Sequence, residues 1–300
     1  MIILIWFLIT YFIFILQPSQ EFESYILSLK PENYIIHIET IKSDSSTELL
    51  HLHLTTDHDT SLSAYLKVPI DTLKYPSIII LGGMLTGKQA VNYAYGVNNV
   101  ILAAPDYRYK TKYKYNLFKI AEDLLEAYNA TYLQVVDNLL LIEFLQNWDK
   151  TKNKKISILG YSFGVPFAAA TARIQHLDYL ALVYGGADLN FLIKHNLKLF
   201  SKSIDCFLSE LFWLHLINFE PESNLQHAKP IPTLFINGKN DEKIPNISAQ
   251  KLQDSINFEK TVIWIDSKHV HPANKQLSLN IIDHLNDWYQ DNNFFNWSDL

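Results

Sequence analysis

The stretch Lys154–Arg173, KKISILGYSFGVPFAAATAR, constrains the fold of this chain more than any other. Ile156, Ile158 and Leu159 form a short apolar run behind a charged leader, the pattern of a buried parallel strand. Gly160-Tyr161-Ser162-Phe163-Gly164 interrupts it. Phe167–Ala172 then reads as an Ala-rich helix with Pro166 in its first turn, where a proline removes no needed N–H. The Gly-x-Ser-x-Gly spacing between strand and helix predicts a reversal so sharp that the Ser backbone is strained and its Oγ stands clear above the sheet. Positions two before and two after the Ser crowd together, and both are Gly. N–H groups of the first helical turn aim at the same point and favour negative charge there. The five-residue pattern by itself also fits a Ser in an ordinary turn; its flanking strand and helix favour the strained reading.

The remainder alternates in the same manner. Six apolar runs read as strands: Ser77–Leu81, Val97–Ala104, Ile156–Leu159, Tyr179–Tyr184, Pro232–Ile236 and Thr261–Ile265. Helical patterns separate most of them: a short one over Lys88–Tyr95, two over Leu117–Trp148, a greasy stretch over Leu189–Phe219, and Ser248–Ile256; Asn274–Tyr289 closes the chain. Upstream, Leu50, Leu52 and Leu54 alternate with His51 and His53, and Leu62–Val68 returns across the Asp57–Thr60 turn as a hairpin. A short helix and a lead-in strand, Tyr34–Ile41, precede it. This is an α/β chain: a mostly parallel sheet of about eight strands with helices on both faces.

Three hundred residues with 48% hydrophobic content suffice for one large core, and a net charge of -6 argues against nucleic acid as a partner. A single cysteine, Cys206, excludes an intramolecular disulfide and any Cys-rich zinc site. Ile2–Leu16 is apolar apart from Thr10 and Tyr11. As a helix it spans roughly 22 Å, short of a bilayer core of about 30 Å. No Lys or Arg precedes it and no small-x-small cleavage site follows, so residues 1–20 read as an uncleaved membrane anchor or atypical export signal. The expected location is at a membrane or outside the cell.

A serine hydroxyl is a poor nucleophile until a base and a group that orients that base stand beside it. In such a sheet those partners come from later strand ends. Asp241 follows the strand at Pro232–Ile236, and His269 and His271 follow the next. The order Ser, Asp, His, together with GYSFG and INGKNDEKIP, resembles the α/β-hydrolase superfamily over roughly residues 48 to 290. That resemblance implies a lead-in over 21–47, a hydrolase domain over 48–292, and a helical cap inserted at about 189–222. It implies Ser162 as nucleophile, Asp241 as orienting acid and His269 as general base, with His271 and Asp188 as alternates for base and acid. Backbone N–H groups of Met84 and Phe163 would form the oxyanion hole, although Gly82-Gly83 stands where the family often has His-Gly. The implied activity is serine hydrolysis, foremost of carboxylic esters through an acyl-enzyme, with no metal or organic cofactor. Peptidases and thioesterases use the same residue types. The substrate would be a small acyl molecule; the aromatic and aliphatic content of Leu189–Phe219, with Phe191, Leu197, Phe212, Trp213 and Leu216, suggests a lid over a lipophilic pocket and equally fits ordinary amphipathic core packing.

Three rival readings stand beside this. Gly82–Lys88 nearly spells a phosphate-binding loop, but Gln89 occupies the position of the Mg²⁺-holding Ser or Thr. His51, His53, Asp57 and His58 resemble a metal motif with two residues too many, and alternation favours a solvated strand face with no metal. A hydrolase fold serving only as a binding module at a membrane is the third.

Overall fold

Short apolar or alternating runs bounded by turn residues become strands, and nine strands assemble into one sheet. The computed structural model describes residues 21–56, 62–94, 97, 99–109, 120–198 and 202–295. The expectations for the Ile2–Leu16 segment, the Asp57–Thr60 turn and residues 110–119 lie outside the described residues. In chain order the elements are α1 (Phe22–Leu29), β1 (Ile35–Ser43), β2 (Thr47–Thr55), β3 (Leu62–Pro69), β4 (Ser77–Leu81), β5 (Ile101–Pro105) and α2 (Ile120–Asn147). Then follow β6 (Ile156–Tyr161), α3 (Val165–Ile174), β7 (Tyr179–Val183), α4 (Leu189–Asn196), α5 (Lys202–Leu216) and α6 (Pro221–His227). The last are β8 (Thr233–Gly238), α7 (Asn246–Asp254), β9 (Lys260–Ile265) and α8 (Lys275–Asp291). Short 3₁₀ turns occupy Gly87–Tyr93, Ser162–Gly164 and Ile217–Phe219.

Strand order is β1-β2-β3-β5-β4-β6-β7-β8-β9. The first three strands and β5 pair antiparallel, and β5 through β9 run parallel. Strands β4, β5, β7 and β8 are buried along their whole length, which is why they are unbroken apolar runs. In β2 and β3, Leu50, Leu52, Leu54, Leu62, Ala64, Leu66 and Val68 point inward and polar residues alternate with them. The sheet has nine strands rather than eight because the lead-in segment pairs with β2, from Ile35 opposite Thr55 to Ser43 opposite Glu48.

Helices α2 and α3 pack one face of the sheet, against Leu52, Leu66, Ile79 and Ile158. On the other face, α8 lays Leu277, Ile281, Leu285 and Trp288 over Ile78, Leu102, Leu159 and Ile236. One expectation is corrected here: the two helices read between Leu117 and Trp148 are a single α2 of 28 residues. No Gly or Pro falls within it, so nothing interrupts the backbone ladder. Among the described residues, no helix is long and apolar enough to cross a membrane.

Asp137 of α2 meets Arg108, just past β5, in a two-pronged ion pair of 2.5 and 2.6 Å. Burial pushes the Asp137 carboxyl up to about 6, against the pull of the guanidinium. The Asp137 side chain is only 2% exposed and that of Arg108 20%, so losing the carboxylate leaves a half-buried cation without its ion-pair partner. Asp137→Ala is therefore expected to lower stability by about 3–5 kcal/mol, measured by urea unfolding.

Candidate active site

The site forms where β6 ends. Ser162 sits at φ 49, in the left-handed region a side-chain-bearing residue enters only under constraint. Two contacts supply that constraint. A Cβ on Gly164 would lie 2.0 Å from the carbonyl oxygen of Leu81 in β4, and one on Gly160 would lie 2.9 Å from Ala168 in α3. The reversal closes only because both residues lack side chains. Val165 then starts α3, its N–H bonded back to the carbonyl of Ser162 across the 3₁₀ turn.

Loops after β8 and β9 bring up the other two groups. His269 Nε2 lies 2.9 Å from Ser162 Oγ. Its Nδ1 faces Asp241, 2.9 Å from Oδ1 and 2.7 Å from Oδ2. An ionised carboxylate only accepts, so Nδ1 carries the proton and Nε2 turns a lone pair to the hydroxyl. The Asp241 side chain is 1% exposed and that of His269 8%, so bulk water does not compete for these bonds. Asp241 is itself fixed: Oδ1 accepts from the backbone N–H of Lys243 at 2.8 Å and of Ile244 at 2.9 Å. Such a chain can draw the proton from an attacking alcohol and stabilise the imidazolium that results.

Two supporting residues went unread in the sequence. Glu242 accepts from the backbone N–H of His269 at 3.2 Å, tying the loop after β9 to the loop after β8. Its own backbone N–H and that of His269 hold its carboxylate below the usual range. Tyr184 sets its ring edge-on to the His269 ring, with centroids 5.7 Å apart, and bonds Ser267 through its hydroxyl. A Glu beside the Asp was a readable signal for the first; nothing in the pattern marked Tyr184.

The other sequence candidates are placed as follows. Asp188 caps α4, accepting from Phe191 N at 3.1 Å, and is not bonded to His269. His271 is exposed and its Nδ1 accepts from Ala273 N at 3.1 Å, although it borders the same cavity as Ser162. Asp266, three residues before His269 and so too near in sequence to reach its ring easily, accepts from Asn240 at 2.6 Å. Met84 lies in a tight turn after β4, held by the bond from Thr86 N to Gly83 O at 3.0 Å and by the Tyr107 hydroxyl on the Gly82 carbonyl. Met84, Phe163, Ser162 and His269 all border one cavity of about 1070 Å³.

The region between β7 and β8 forms part of that cavity's wall, as its apolar content suggested, though not through Phe191 or Trp213. Leu192, Phe212 and Leu216 border it. Phe191 instead stacks on His195 and is 41% exposed. Trp213 is half-buried and is not among the described wall residues. Periodicity identified the helices without saying which stripe faces the Ser.

The residues of the two rival readings meet on the β2–β3 face. Lys88 does not arch over the loop that precedes it. Its Nζ lies 2.9 Å from Ser63 Oγ and 3.0 Å from His51 Nε2, above the Tyr65 ring, so it belongs to the β2–β3 face. His51 and His53 are not simply solvated: both are half-buried in a polar network, and burial, then the Lys88 charge, holds the His51 imidazole below its ordinary pKa.

A family model described as "Serine hydrolase (FSH1)" matches residues 139–281, somewhat less than half of the chain. No curated protein matches in sequence. Among solved structures, acetyl xylan esterase 1 from Thermoanaerobacterium sp. JW/SL YS485 is similar, with TM-score 0.68 and 16% identity, over 90% of this chain and 94% of that one. Pyrococcus furiosus esterase Pf2001 gives TM-score 0.57 and 15% identity, over 84% of this chain and 98% of that one. Pyrococcus horikoshii acylaminoacyl peptidase gives 0.60 and 14%, over 83% of this chain but 42% of that one. At these identities the likeness to solved structures is one of fold, and the family model adds the chemistry. Over residues 139–281 the chain matches a serine-hydrolase family, on a fold that the whole described chain shares with α/β-hydrolase structures.

Proposed function

We propose that the protein is a carboxylic-ester hydrolase that works through an acyl-enzyme on a small, lipophilic acyl substrate. The observation that carries this is the hydrogen-bonded chain Ser162–His269–Asp241 standing at the wall of the 1070 Å³ cavity. His269 Nε2 takes the Ser162 proton as Oγ attacks the acyl carbonyl. The oxyanion is held by the N–H groups of Phe163 and Met84, and His269 returns the proton to the departing alcohol. Water, deprotonated by the same imidazole, then releases the acyl group. Every step uses this chain's own residues, so the proposal calls for no cofactor.

The cavity wall argues for the acyl part. Phe163, Phe167, Leu192, Phe212 and Leu216 border it, and such a wall gains about 25 cal/mol for each Å² of apolar ligand surface it covers. In this reading α4 and α5 form the cap over the substrate. Two of the structurally similar proteins carry the word esterase in their descriptions, which supports the ester reading; a peptidase of the same fold supports the amide alternative. A panel of acyl esters, thioesters and aminoacyl amides of graded chain length tests the choice. The expected result is fastest turnover of esters, with Phe212→Ala lowering kcat/KM for longer chains by roughly tenfold and barely touching acetyl esters. Preference for amides, or a chain-length profile that Phe212→Ala leaves unmoved, would remove the reading.

A further inference from the structure

The network on the far side of the β2–β3 sheet remains unused by the hydrolase chemistry. It is built by register. Glu39 of β1 stands opposite His51 of β2, and His37 stands opposite His53. Cross-strand partners share a face of the sheet, as do residues two apart on a strand. These four side chains therefore emerge on one face, although they come from two segments of sequence that no spacing rule links.

Three of them converge to ligand distance. His51 Nδ1 lies 3.1 Å from Glu39 Oε1 and 3.1 Å from His53 Nε2, and one ligand atom from each residue falls within 4.8 Å of the others. Ligands about 2.0–2.1 Å from a tetrahedral zinc are roughly 3.3 Å apart, close to these separations. Two imidazoles and a carboxylate are also a donor set suited to a borderline divalent cation. We propose that Glu39, His51 and His53 bind a divalent cation of the zinc class on the β1–β2 edge of the sheet, with His37 in register as a further ligand.

The surroundings fit a metal ligand. Coordination through His51 Nδ1 requires the tautomer with a proton on Nε2, and Ser63 Oγ waits 2.9 Å from Nε2 to accept it. The His51 side chain is only 12% exposed, which holds its ring orientation, while Glu39 is 64% exposed and leaves a route in from solvent. Lys88 works against the cation, because its ammonium also lies 3.0 Å from His51 Nε2. It keeps its own bond to Ser63 when the Nε2 proton points there. The cation would also serve the fold. β1 is an edge strand exposed at every residue, and a bond shared between Glu39 and the two histidines pins it to β2.

The experiment is calorimetric titration of the full chain with Zn²⁺, alongside the absorption spectrum of the Co²⁺ form. One equivalent binding at micromolar affinity or tighter, with an intense tetrahedral cobalt band, is expected. His53→Ala and Glu39→Gln each weaken it by more than about 100-fold. Lys88→Met strengthens it several-fold, since a positive charge leaves the neighbourhood of the cation. Zn²⁺ also raises the melting temperature of the wild type but not of His53→Ala. Ser162→Ala binds zinc like the wild type, so the site stands or falls separately from the hydrolase proposal. Glu39 is exposed and its substitution leaves the fold intact, so it reports even where His53→Ala misfolds. Affinity unchanged in Glu39→Gln, or millimolar binding with a weak octahedral cobalt spectrum, overturns the proposal.

Discussion

Ser162→Ala is expected to lower turnover of acyl esters on the order of 10⁶-fold, the scale seen when the nucleophile of such a group is removed. The residues acting with Ser162 work as a unit, so the loss is nearly that of removing all of them. In the proposed mechanism, what survives is whatever binding and the backbone donors at Met84 and Phe163 contribute without the alcohol, about 10³-fold over water. The variant should fold normally. Ser162 is at φ 49, a conformation Ala adopts no more easily than Ser, and the change deletes its Oγ bond to His269. Initial rates and a thermal melt, run together, separate lost chemistry from lost structure.

Asp241→Asn is expected to cost about 10⁴-fold in kcat, the loss attached to the wrong imidazole tautomer. The geometry states why. Oδ1 of Asp241 accepts from the N–H groups of Lys243 and Ile244, so an amide placed there keeps its oxygen on those donors. Its NH₂ then faces His269 Nδ1, which must accept instead of donate. The proton moves to Nε2, where it points at Ser162 and removes the lone pair that would take the hydroxyl proton. Substrate binding is untouched, so KM should stay within a few-fold while kcat falls. A fall confined to KM would place Asp241 outside the chemistry.

Much of this arrangement was legible in the chain. Gly160 and Gly164 announced the tight reversal because only they fit beside Ala168 and Leu81. Strands β4, β5, β7 and β8 showed as apolar runs because both of their faces are covered. The approach of Asp241 and of a histidine after β9 to Ser162 followed from their positions after successive parallel strands, all of which end at the same edge of the sheet, while the choice of His269 over His271 came from the family resemblance.

What stayed hidden depends on contacts that distance along the chain does not encode. The Arg108–Asp137 pair joins residues 29 positions apart on elements whose relative placement only the fold supplies. Glu39 meets His51 through strand register, and a one-residue slip would put it on the opposite face. The cap showed its apolar content but not its orientation, so Phe191 looked like a wall residue and proved to be an outer one. Helix α2 shows the reverse case. Its sequence contains no Gly or Pro, so nothing in it called for a division into two helices.

The central claim is that one alcohol, Ser162, is made nucleophilic by its neighbours. Incubating the protein with a fluorophosphonate and mapping the adduct by mass spectrometry tests this most directly. The expected result is a single phosphonylated residue, Ser162, in the wild type, with labelling lost in Ser162→Ala and strongly slowed in His269→Ala. An unlabelled wild type, or an adduct on a different residue that persists in Ser162→Ala, would contradict it.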